Sequence, residues 1–255
     1  MRWTLLVDAP RPGFQNMAVD AALLDHACEE GVGFLRLYRW APHCLSFGRH
    51  EPALKRYDTG RIRSLGLDCV RRPTGGRAVW HAGELTYAVA APLAAFGGLR
   101  QAYAAIHGLL ASALRSLGAR PDLAPRYSLT PGVGAGPCFS APVGGEVLVD
   151  GCKVLGSAQL RQADAFLQHG SLLLEDDQAL VRTLAGLPEE GGAEAPLGRL
   201  LGRSVTFDEA AEAIAECAQA LFEPMERVEF LPARVAAACG RHEERFRSAD
   251  WTWQR

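Results

Sequence analysis

Two stretches of this chain gather side chains that could handle an activated acyl group. Residues 71–81 contain three arginines, a Gly-Gly pair and a histidine. A second stretch runs from Cys138 through Lys153 to His169. A thiol can hold an acyl group as a thioester, and an ammonium or a backbone N–H group can stabilise the oxyanion that forms during transfer. These residue types predict a site for acyl transfer.

The Gly75-Gly76 pair predicts a close approach between the backbone and a ligand. Because neither residue has a Cβ, their N–H groups can reach a carbonyl or phosphate oxygen. Most Gly-Gly pairs are turns, so the pair alone is weak evidence. Arg71, Arg72 and His81 beside it favour a binding loop, although Arg72 could also be an ordinary salt-bridge partner.

Cys138 is the candidate nucleophile. A free thiol has a pKa of about 8.5, so a nearby cation is needed to populate the thiolate at neutral pH. Lys153 is the nearest cation in the sequence beyond the Pro/Gly-rich stretch that ends before Cys138. The alternative for Cys138 is the role of a small buried hydrophobe. That role is the one we expect for Cys28, Cys69, Cys217 and Cys239.

Lys153 and His169 each allow two interpretations. Lys153 follows an Asp-Gly turn that could present its ammonium to the same cleft as Cys138, but most lysines are solvated. His169 lies in an apolar strand, where a hydrogen-bonded core histidine is more common than a general base. The residues themselves do not define an ordered triad of nucleophile, histidine and acid.

Periodicity and turn signals predict the elements that position these side chains. The predicted helices are 16–28 with Gly31 as its stop, 99–117, 206–221 with a capping box at its start, and 232–240. The predicted strands include 35–39, 44–47 and 166–174, the last with Gly170 as a bulge or a close backbone approach. The Asp150-Gly151 pair predicts a type I′ turn between the strands 146–149 and 152–155.

The remaining segments complete the predicted architecture. Residues 121–137 indicate a long irregular loop, and residues 188–196 indicate an acidic linker. Early strands, one long helix, a central hairpin and terminal helices together predict an α+β domain with a helical tail.

Composition excludes several classes of protein. The chain has 255 residues, nearly half of them hydrophobic, and a formal net charge of -2, which is typical of a soluble globular protein. The lack of a basic arm argues against a nucleic-acid partner, and no uninterrupted apolar run predicts a signal peptide or a membrane span. Seven scattered cysteines without a Cys-x-x-Cys pair argue against a disulfide scaffold or a structural zinc site. We expect a cytoplasmic monomer.

The motifs resemble those of the lipoate-protein ligase, biotin ligase and octanoyltransferase superfamily. Its members carry Arg-Arg-x-x-Gly-Gly-x-x-Val-x-His, which residues 71–81 match, and Lys-Val-x-Gly-Ser-Ala-Gln, which residues 153–159 match. Similar segments at 16–20 and 248–251 extend the resemblance over nearly the whole chain. Residues 138–142 match the Cys-Phe-x-Ala-Pro segment that holds the nucleophile of one class of octanoyltransferases.

This resemblance implies a fold and a set of site residues. The implied fold is a mixed β-sheet flanked by helices, with an acyl pocket beside the double glycine. An acyltransferase core would span 1–187, followed by a linker and C-terminal helices at 188–255 packed on the same domain. The implied catalytic residues are Cys138 and Lys153. The implied substrate-binding residues are Arg72, Thr74, Gly75, Gly76, Arg77, His81, Gly156, Ser157, Ala158 and His169.

The reaction implied by the resemblance moves an octanoyl group from acyl carrier protein to a lysine of a lipoyl-carrier protein, in lipoate biosynthesis. The acceptor would be the glycine-cleavage H protein or a dehydrogenase lipoyl domain. No metal or cofactor is expected, because a thioester is already activated.

Two other functions compete with this reaction. One is an ATP-dependent lipoate ligase, and the other is a carrier-binding protein without turnover. Arg77 stands where the ligases often carry a third glycine, and Thr86 stands where they often carry Asn. Both departures disfavour adenylate binding.

Overall fold

The structure is a computed structural model that describes residues 1–124, 146–176, 178–188 and 193–254. Its strands are β1 Trp3–Val7, β2 Gly33–Tyr38, β3 Cys44–Phe47, β4 Asp68–Arg71, β5 Val79–His81, β6 Glu84–Pro92, β7 Pro121–Leu123, β8 Val147–Val149, β9 Cys152–Lys153, β10 Leu155–Gln162, β11 Ala165–Leu173 and β12 Met225–Val228. Its α-helices are α1 Gly13–Glu30, α2 Ala53–Arg56, α3 Thr59–Ser64, α4 Leu99–Ser116, α5 Ala179–Leu184, α6 Leu197–Leu201, α7 Phe207–Leu221, α8 Ala233–Arg247 and α9 Ala249–Thr252.

A mixed sheet of six strands forms the centre, in the order β10-β11-β6-β2-β1-β12. β1 runs parallel to β2 and β12, whereas β6 and β11 pair antiparallel to their neighbours. Alternating side chains send one face of the sheet to α4 and α7 and the other face to α1 and α8. The predicted α+β class, with a mixed sheet flanked by helices, is confirmed.

Two three-stranded sheets flank the central one. β4, β3 and β5 form the first, and the 72–78 turn that carries the glycine pair connects two of its strands. β7, β8 and β9 form the second, which ends at Lys153. The glycine pair and the lysine therefore lie on two different small sheets that border the central sheet.

Local signals explain where several elements begin and end. α1 stops at Gly31, whose φ of 66° lies in the left-handed region that glycine tolerates. α7 begins after Thr206, whose hydroxyl accepts a hydrogen bond from the Glu209 backbone N–H. Asp150 and Gly151 have φ values of 49° and 76°, as the predicted type I′ turn requires.

Two local predictions are wrong. α8 passes through Gly240 and ends at Arg247, because packing of its apolar face against α1 outweighs the cost of one helical glycine, about 1 kcal/mol. Residues 121–123 form β7 against β8, not the start of a loop; most of the remaining predicted loop, from 125 to 137, lies outside the described residues.

For Gly170 the sequence predicts either a bulge or a close backbone approach, and its strand pairs in continuous register without a bulge. The alternative prediction for this residue, a close backbone approach, is confirmed. A Cβ at position 170 would lie 2.4 Å from the Gly156 carbonyl oxygen, so only glycine fits there.

β6 is the central element that the sequence patterns did not predict. It is nine residues long, buried along almost its whole length, and paired with both β2 and β11. Its run of apolar residues has no alternation, because both of its faces are covered by helices. Among the described helices, none is long and apolar enough to cross a membrane.

Candidate active site

A cavity opens between the central sheet, α1 and the β4-β3-β5 sheet. It encloses about 350 Å³ of space not filled by protein atoms, part of it open to solvent. Six of the predicted binding residues line it: Arg72, His81, Gly156, Ser157, Ala158 and His169. The other lining residues are Met17, Tyr38, Trp40, Val79, Thr86, Gly170 and Ser171.

His169 lies on β11, on the face that turns toward α1, and both of its ring nitrogens have partners. Nδ1 lies 2.9 Å from Asp20 Oδ2, and Nε2 lies 2.6 Å from Thr74 Oγ1. A carboxylate only accepts hydrogen bonds, so in the neutral ring Nδ1 carries the hydrogen and Nε2 accepts from the Thr74 hydroxyl. We call Asp20, His169 and Thr74 the His169 chain.

A fully buried arginine fixes the carboxylate of this chain. Arg36 Nη1 donates to Asp20 Oδ1 at 2.8 Å, and the Tyr38 hydroxyl donates to Asp20 Oδ2 at 2.9 Å. Arg36 also binds Asp8, at 2.7 Å. The positive charge of Arg36 therefore compensates the buried negative charge of Asp20.

His81 is the middle member of a second hydrogen-bonded chain, which also runs from a carboxylate through a histidine to a hydroxyl. Its Nδ1 lies 2.6 Å from Glu84 Oε1, and its Nε2 lies 2.5 Å from Ser46 Oγ. Arg72 Nη1 donates to the same Ser46 oxygen at 2.5 Å. We call Glu84, His81 and Ser46 the His81 chain. The His81 ring also stacks on Trp40, with ring centroids 4.0 Å apart.

The remaining polar groups of the cavity wall bond to one another as well. Trp40 Nε1 donates to Thr86 Oγ1 at 2.7 Å, and Thr86 in turn donates to Glu84. Ser171 donates to Glu84 at 3.2 Å, and the Ser157 hydroxyl lies 2.7 Å from the Tyr87 hydroxyl. Because these polar atoms turn toward each other, the wall presents mainly carbon to the cavity, which suits an apolar ligand.

The glycine turn sits at the edge of this cavity and is fixed by the Arg72 guanidinium. Arg72 Nη2 donates to the Arg77 carbonyl at 2.7 Å and reaches the Gly75 carbonyl at 3.4 Å. Gly76 has a φ of 89°, which favours glycine. A Cβ on Gly48 would lie 1.9 Å from the Gly76 carbonyl oxygen, so the residue that follows β3 must be glycine to let the turn approach.

The contacts that the structure describes for Arg72 support a role in shaping the turn, and the alternative of an ordinary salt-bridge partner stays a prediction. Those contacts join its guanidinium to neutral oxygens of Ser46, Gly75 and Arg77. Its role in the structure is to hold the turn in place beside the cavity.

Lys153 is buried, not solvated, and its surroundings are well defined. Its Nζ donates to Glu146 Oε1 at 2.8 Å, and both side chains are shielded from solvent. Its backbone N–H donates to the Ala193 carbonyl at 2.7 Å, and its carbonyl accepts from the Ala195 N–H at 3.3 Å. Part of the predicted linker is therefore a backbone partner of Lys153.

The structure does not bring every predicted residue to one place. Lys153 is not among the described residues that line the cavity, although Gly156 and Ser157 on the following strand are. Cys138 lies outside the described residues. The predicted proximity of Cys138 and Lys153 therefore stays a prediction.

The cysteines that the structure describes include five with raised pKa values. Burial raises the pKa of Cys69 to about 12 and the pKa of Cys44 well above its usual value. Burial likewise raises the pKa of the thiols of Cys28, Cys217 and Cys239. A thiol held in its neutral form is a poor nucleophile. Cys152 precedes Lys153 on β9, where consecutive side chains point to opposite faces.

Several residues of the site were not predicted from the sequence as individual candidates. Asp20, Ser46, Glu84 and Glu146 are buried polar partners of the predicted residues. The available signal was a lone carboxylate or hydroxyl in an apolar element, such as Asp20 in an alanine- and leucine-rich helix. Such residues are costly to bury without a partner, but a sequence does not say which partner they meet.

Comparison with known proteins identifies the family of this chain. Residues 12–219 match the family model of the lipoyl protein ligase A/B catalytic domain. The chain belongs to this family. The resemblance noted from the sequence motifs is thereby confirmed.

Curated relatives within the lipoyl protein ligase A/B family carry one shared name. The Octanoyltransferase LipM of Symbiobacterium thermophilum is 38% identical over 215 residues, which covers 82% of this chain and 78% of that protein. The Octanoyltransferase LipM of Moorella thermoacetica is 33% identical, covering 99% of this chain and 98% of that protein.

Solved structures support the fold. A lipoate-protein ligase A bound with ATP superimposes with a TM-score of 0.82, covering 99% of each chain. Its sequence identity to this chain is 18%, so the likeness concerns the fold alone.

Proposed function

We propose that this chain is an octanoyltransferase that moves an octanoyl group from acyl carrier protein to a lysine of a lipoyl-carrier protein. The shared name of the curated relatives, at 32% to 41% identity, supports the activity. The observation that carries the proposal is the cavity, whose polar side chains satisfy one another and leave a largely carbon-lined wall. A saturated acyl chain needs such a wall, since it offers no hydrogen-bonding groups of its own.

The proposed reaction has two half-reactions. In the first, the Cys138 thiolate attacks the thioester carbonyl of the donor; the new C–S bond forms, the donor C–S bond breaks, and the carrier leaves as a thiolate that takes up a proton. In the second, the lysine amine of the acceptor attacks the octanoyl-enzyme. A C–N bond forms, the amine loses a proton, and the Cys138 sulfur leaves with the electron pair and is reprotonated.

Lys153 is the proposed cationic partner of this chemistry. An ammonium close to the thiol stabilises the thiolate, and it can also stabilise the oxyanion of each tetrahedral intermediate. The Glu146 carboxylate and the backbone of residues 193–195 hold Lys153 in place. The backbone N–H groups of Gly75 and Gly76 are the proposed second source of oxyanion stabilisation.

The partners and the setting complete the proposal. The acceptor is the glycine-cleavage H protein or a dehydrogenase lipoyl domain, and the reaction takes place in the cytoplasm with the enzyme as a monomer. The thioester supplies the driving force, so the transfer proceeds without ATP.

Intact-mass analysis tests the proposal directly. Incubation with octanoyl-acyl carrier protein should add one octanoyl group to the wild-type protein and none to Cys138→Ser. Cys217→Ser is the matched control, because Cys217 lies on α7 away from the cavity, and it should acquire the adduct normally. Addition of a lipoyl domain without ATP should move the octanoyl group to that domain.

Other outcomes would support the competing functions. Activity with free lipoate and ATP that survives Cys138→Ser would indicate a ligase. Tight carrier binding without an acylated product from the wild-type protein would indicate a binding protein without turnover.

A further inference from the structure

Arg49 lies beside the glycine turn (residues 72–78), at an edge that we call the rim. It follows Gly48, whose backbone touches Gly76, and its N–H donates to the Thr74 carbonyl at 2.7 Å. Its side chain is exposed. The backbone of Arg49 is thus fixed beside the turn, while its guanidinium is available to a partner.

Arg245 reaches the same rim from the C-terminal helix α8. Its guanidinium carbon lies 3.6 Å above the ring of Trp251, and Trp251 Nε1 donates to the Arg71 carbonyl at 2.8 Å. Arg71 in turn donates from Nη1 to the Gly48 carbonyl at 2.7 Å, one residue before Arg49. This chain of contacts brings Arg245 to the edge where Arg49 stands.

The electrostatics of Arg245 agree with this placement. Burial lowers the pKa of Arg245, and the positive charge of Arg49 lowers it further. Neither arginine forms an ion pair with any carboxylate in the parts of the chain that the structure describes. Two like charges held near each other by separate anchors are stabilised by an anion between them.

The surrounding sequence adds to this positive charge. Residues 49–77 contain eight Lys or Arg and three Asp or Glu residues, in a chain whose formal net charge is -2. Lys55, Arg61 and Arg63 in this segment are also exposed. The segment that carries Arg49 is therefore basic although the protein as a whole is slightly acidic.

We propose that Arg49 and Arg245 form the docking point for the anionic donor carrier, and that they bind the phosphodiester of its prosthetic arm and the acidic protein surface around it. This inference rests on the proposed function. Acyl carrier proteins hold their acyl group on a phosphopantetheine arm, so the donor brings an anion with the thioester. The acceptor instead brings a lysine ammonium, which the same arginines repel. Charge complementarity thus assigns this surface to the donor.

The test compares a carrier-bound donor with an uncharged one. The double variant Arg49→Glu/Arg245→Glu should lower kcat/KM for octanoyl-acyl carrier protein by about tenfold or more at low salt, and the loss should shrink as salt rises. The rate with octanoyl-pantetheine, which lacks both phosphate and protein, should change by less than about twofold.

Three controls keep the result interpretable. Arg120→Glu makes the same charge change at an exposed arginine just before β7, outside the rim, and should leave both rates unchanged. Arg49→Gln/Arg245→Gln, a milder pair of substitutions, should lower the carrier-dependent rate in the same direction if the charge-reversed protein folds poorly. Single-turnover transfer from preformed octanoyl-enzyme to the lipoyl domain should keep its rate.

The possible failures are distinct. An equal loss with both donors, or a loss confined to the transfer to the lipoyl domain, would overturn the docking assignment. If no donor acylates the wild-type protein, the proposed function fails. In that case the docking site is tested by titrating Cys138→Ser with acyl carrier protein, with and without the Arg49→Glu/Arg245→Glu substitutions. Equal affinity of the two proteins would overturn the docking assignment.

Discussion

The His169 chain and the His81 chain each run from a carboxylate through a histidine to a hydroxyl. An arginine contacts the carboxylate end of the first chain and the hydroxyl end of the second. In the His169 chain, Arg36 binds the carboxylate of Asp20 directly. In the His81 chain, Arg72 binds the hydroxyl of Ser46, and Glu84 is contacted through Oε1 by neutral donors and by the His81 ring. Glu84 Oε2 has no hydrogen-bond partner among the described residues.

This difference separates two structural tasks. The His169 chain links α1 to the strands through a compensated buried charge, so it anchors the cavity to the central sheet. The His81 chain passes from the central sheet to Ser46 and Arg72, so it connects the cavity wall to the glycine turn. A substitution in the His169 chain should therefore lower the stability of the whole fold. A substitution in the His81 chain should mainly disturb the glycine turn.

The largest expected effect comes from removing each carboxylate. Asp20→Ala removes the carboxylate that pairs with His169 and one of the two carboxylates that pair with Arg36, and should lower the free energy of unfolding by about 3 to 5 kcal/mol. Glu84→Ala removes an acceptor from neutral donors and should cost about 1 to 3 kcal/mol. Urea unfolding of both variants measures the difference. Asp164→Ala, at a fully exposed carboxylate, is the control and should change stability by less than about 0.5 kcal/mol.

Equal costs at Asp20 and Glu84 would contradict the contrast between the two chains. They would mean that the arginine at the carboxylate end adds nothing beyond ordinary hydrogen bonding. A smaller cost at Asp20 would show that Asp8 alone compensates Arg36.

The sequence predicted the parts of this site that depend on local order along the chain. The glycine pair, the Asp-Gly hairpin before Lys153 and the strand with His169 are each set by their immediate neighbours. The partners of the two histidines could not be predicted from spacing, because Asp20 and His169 are separated by 149 positions and meet only when α1 packs on the sheet. β6 escaped for a related reason: helices cover both of its faces, so its sequence lacks the alternation that marks a half-exposed strand.

A smaller effect is expected from removing the hydroxyl of each chain. Ser46 serves two groups, His81 and Arg72, whereas the Thr74 hydroxyl serves His169. Ser46→Ala should therefore cost about 1 to 3 kcal/mol, and Thr74→Val should cost less, since one buried nitrogen is left without its donor. Urea unfolding measures both values. Thr74→Ser keeps the hydroxyl and should restore most of the loss, and a Thr74→Val cost above that of Ser46→Ala would contradict the assignment of partners.

The smallest effect expected is the pH dependence that His81 gives to stability. Burial lowers the pKa of His81, and the nearby Arg72 charge adds to this, while Glu84 acts in the opposite direction. The unfolded chain binds a proton at this residue below about pH 6.5, where the folded protein does not. The free energy of unfolding should therefore fall as pH drops from about 6.5 toward the lower folded pKa, by at most about 1.4 kcal/mol per pH unit. Above this window His81 contributes no slope.

Urea midpoints measured across this window test the sign. His81→Gln should flatten the decline, because the ring that takes up the proton in the unfolded chain is gone. His242→Gln makes the same substitution at a histidine that contacts Asp25 outside the cavity, and should leave the wild-type decline in place. Ring-nitrogen NMR should show that His81 takes up its proton at a lower pH in the folded protein than in the unfolded chain, since its burial opposes the charged form. Proton uptake by the folded His81 ring at or above the pH of the unfolded chain, or an unchanged decline in His81→Gln, would mean that Glu84 outweighs burial.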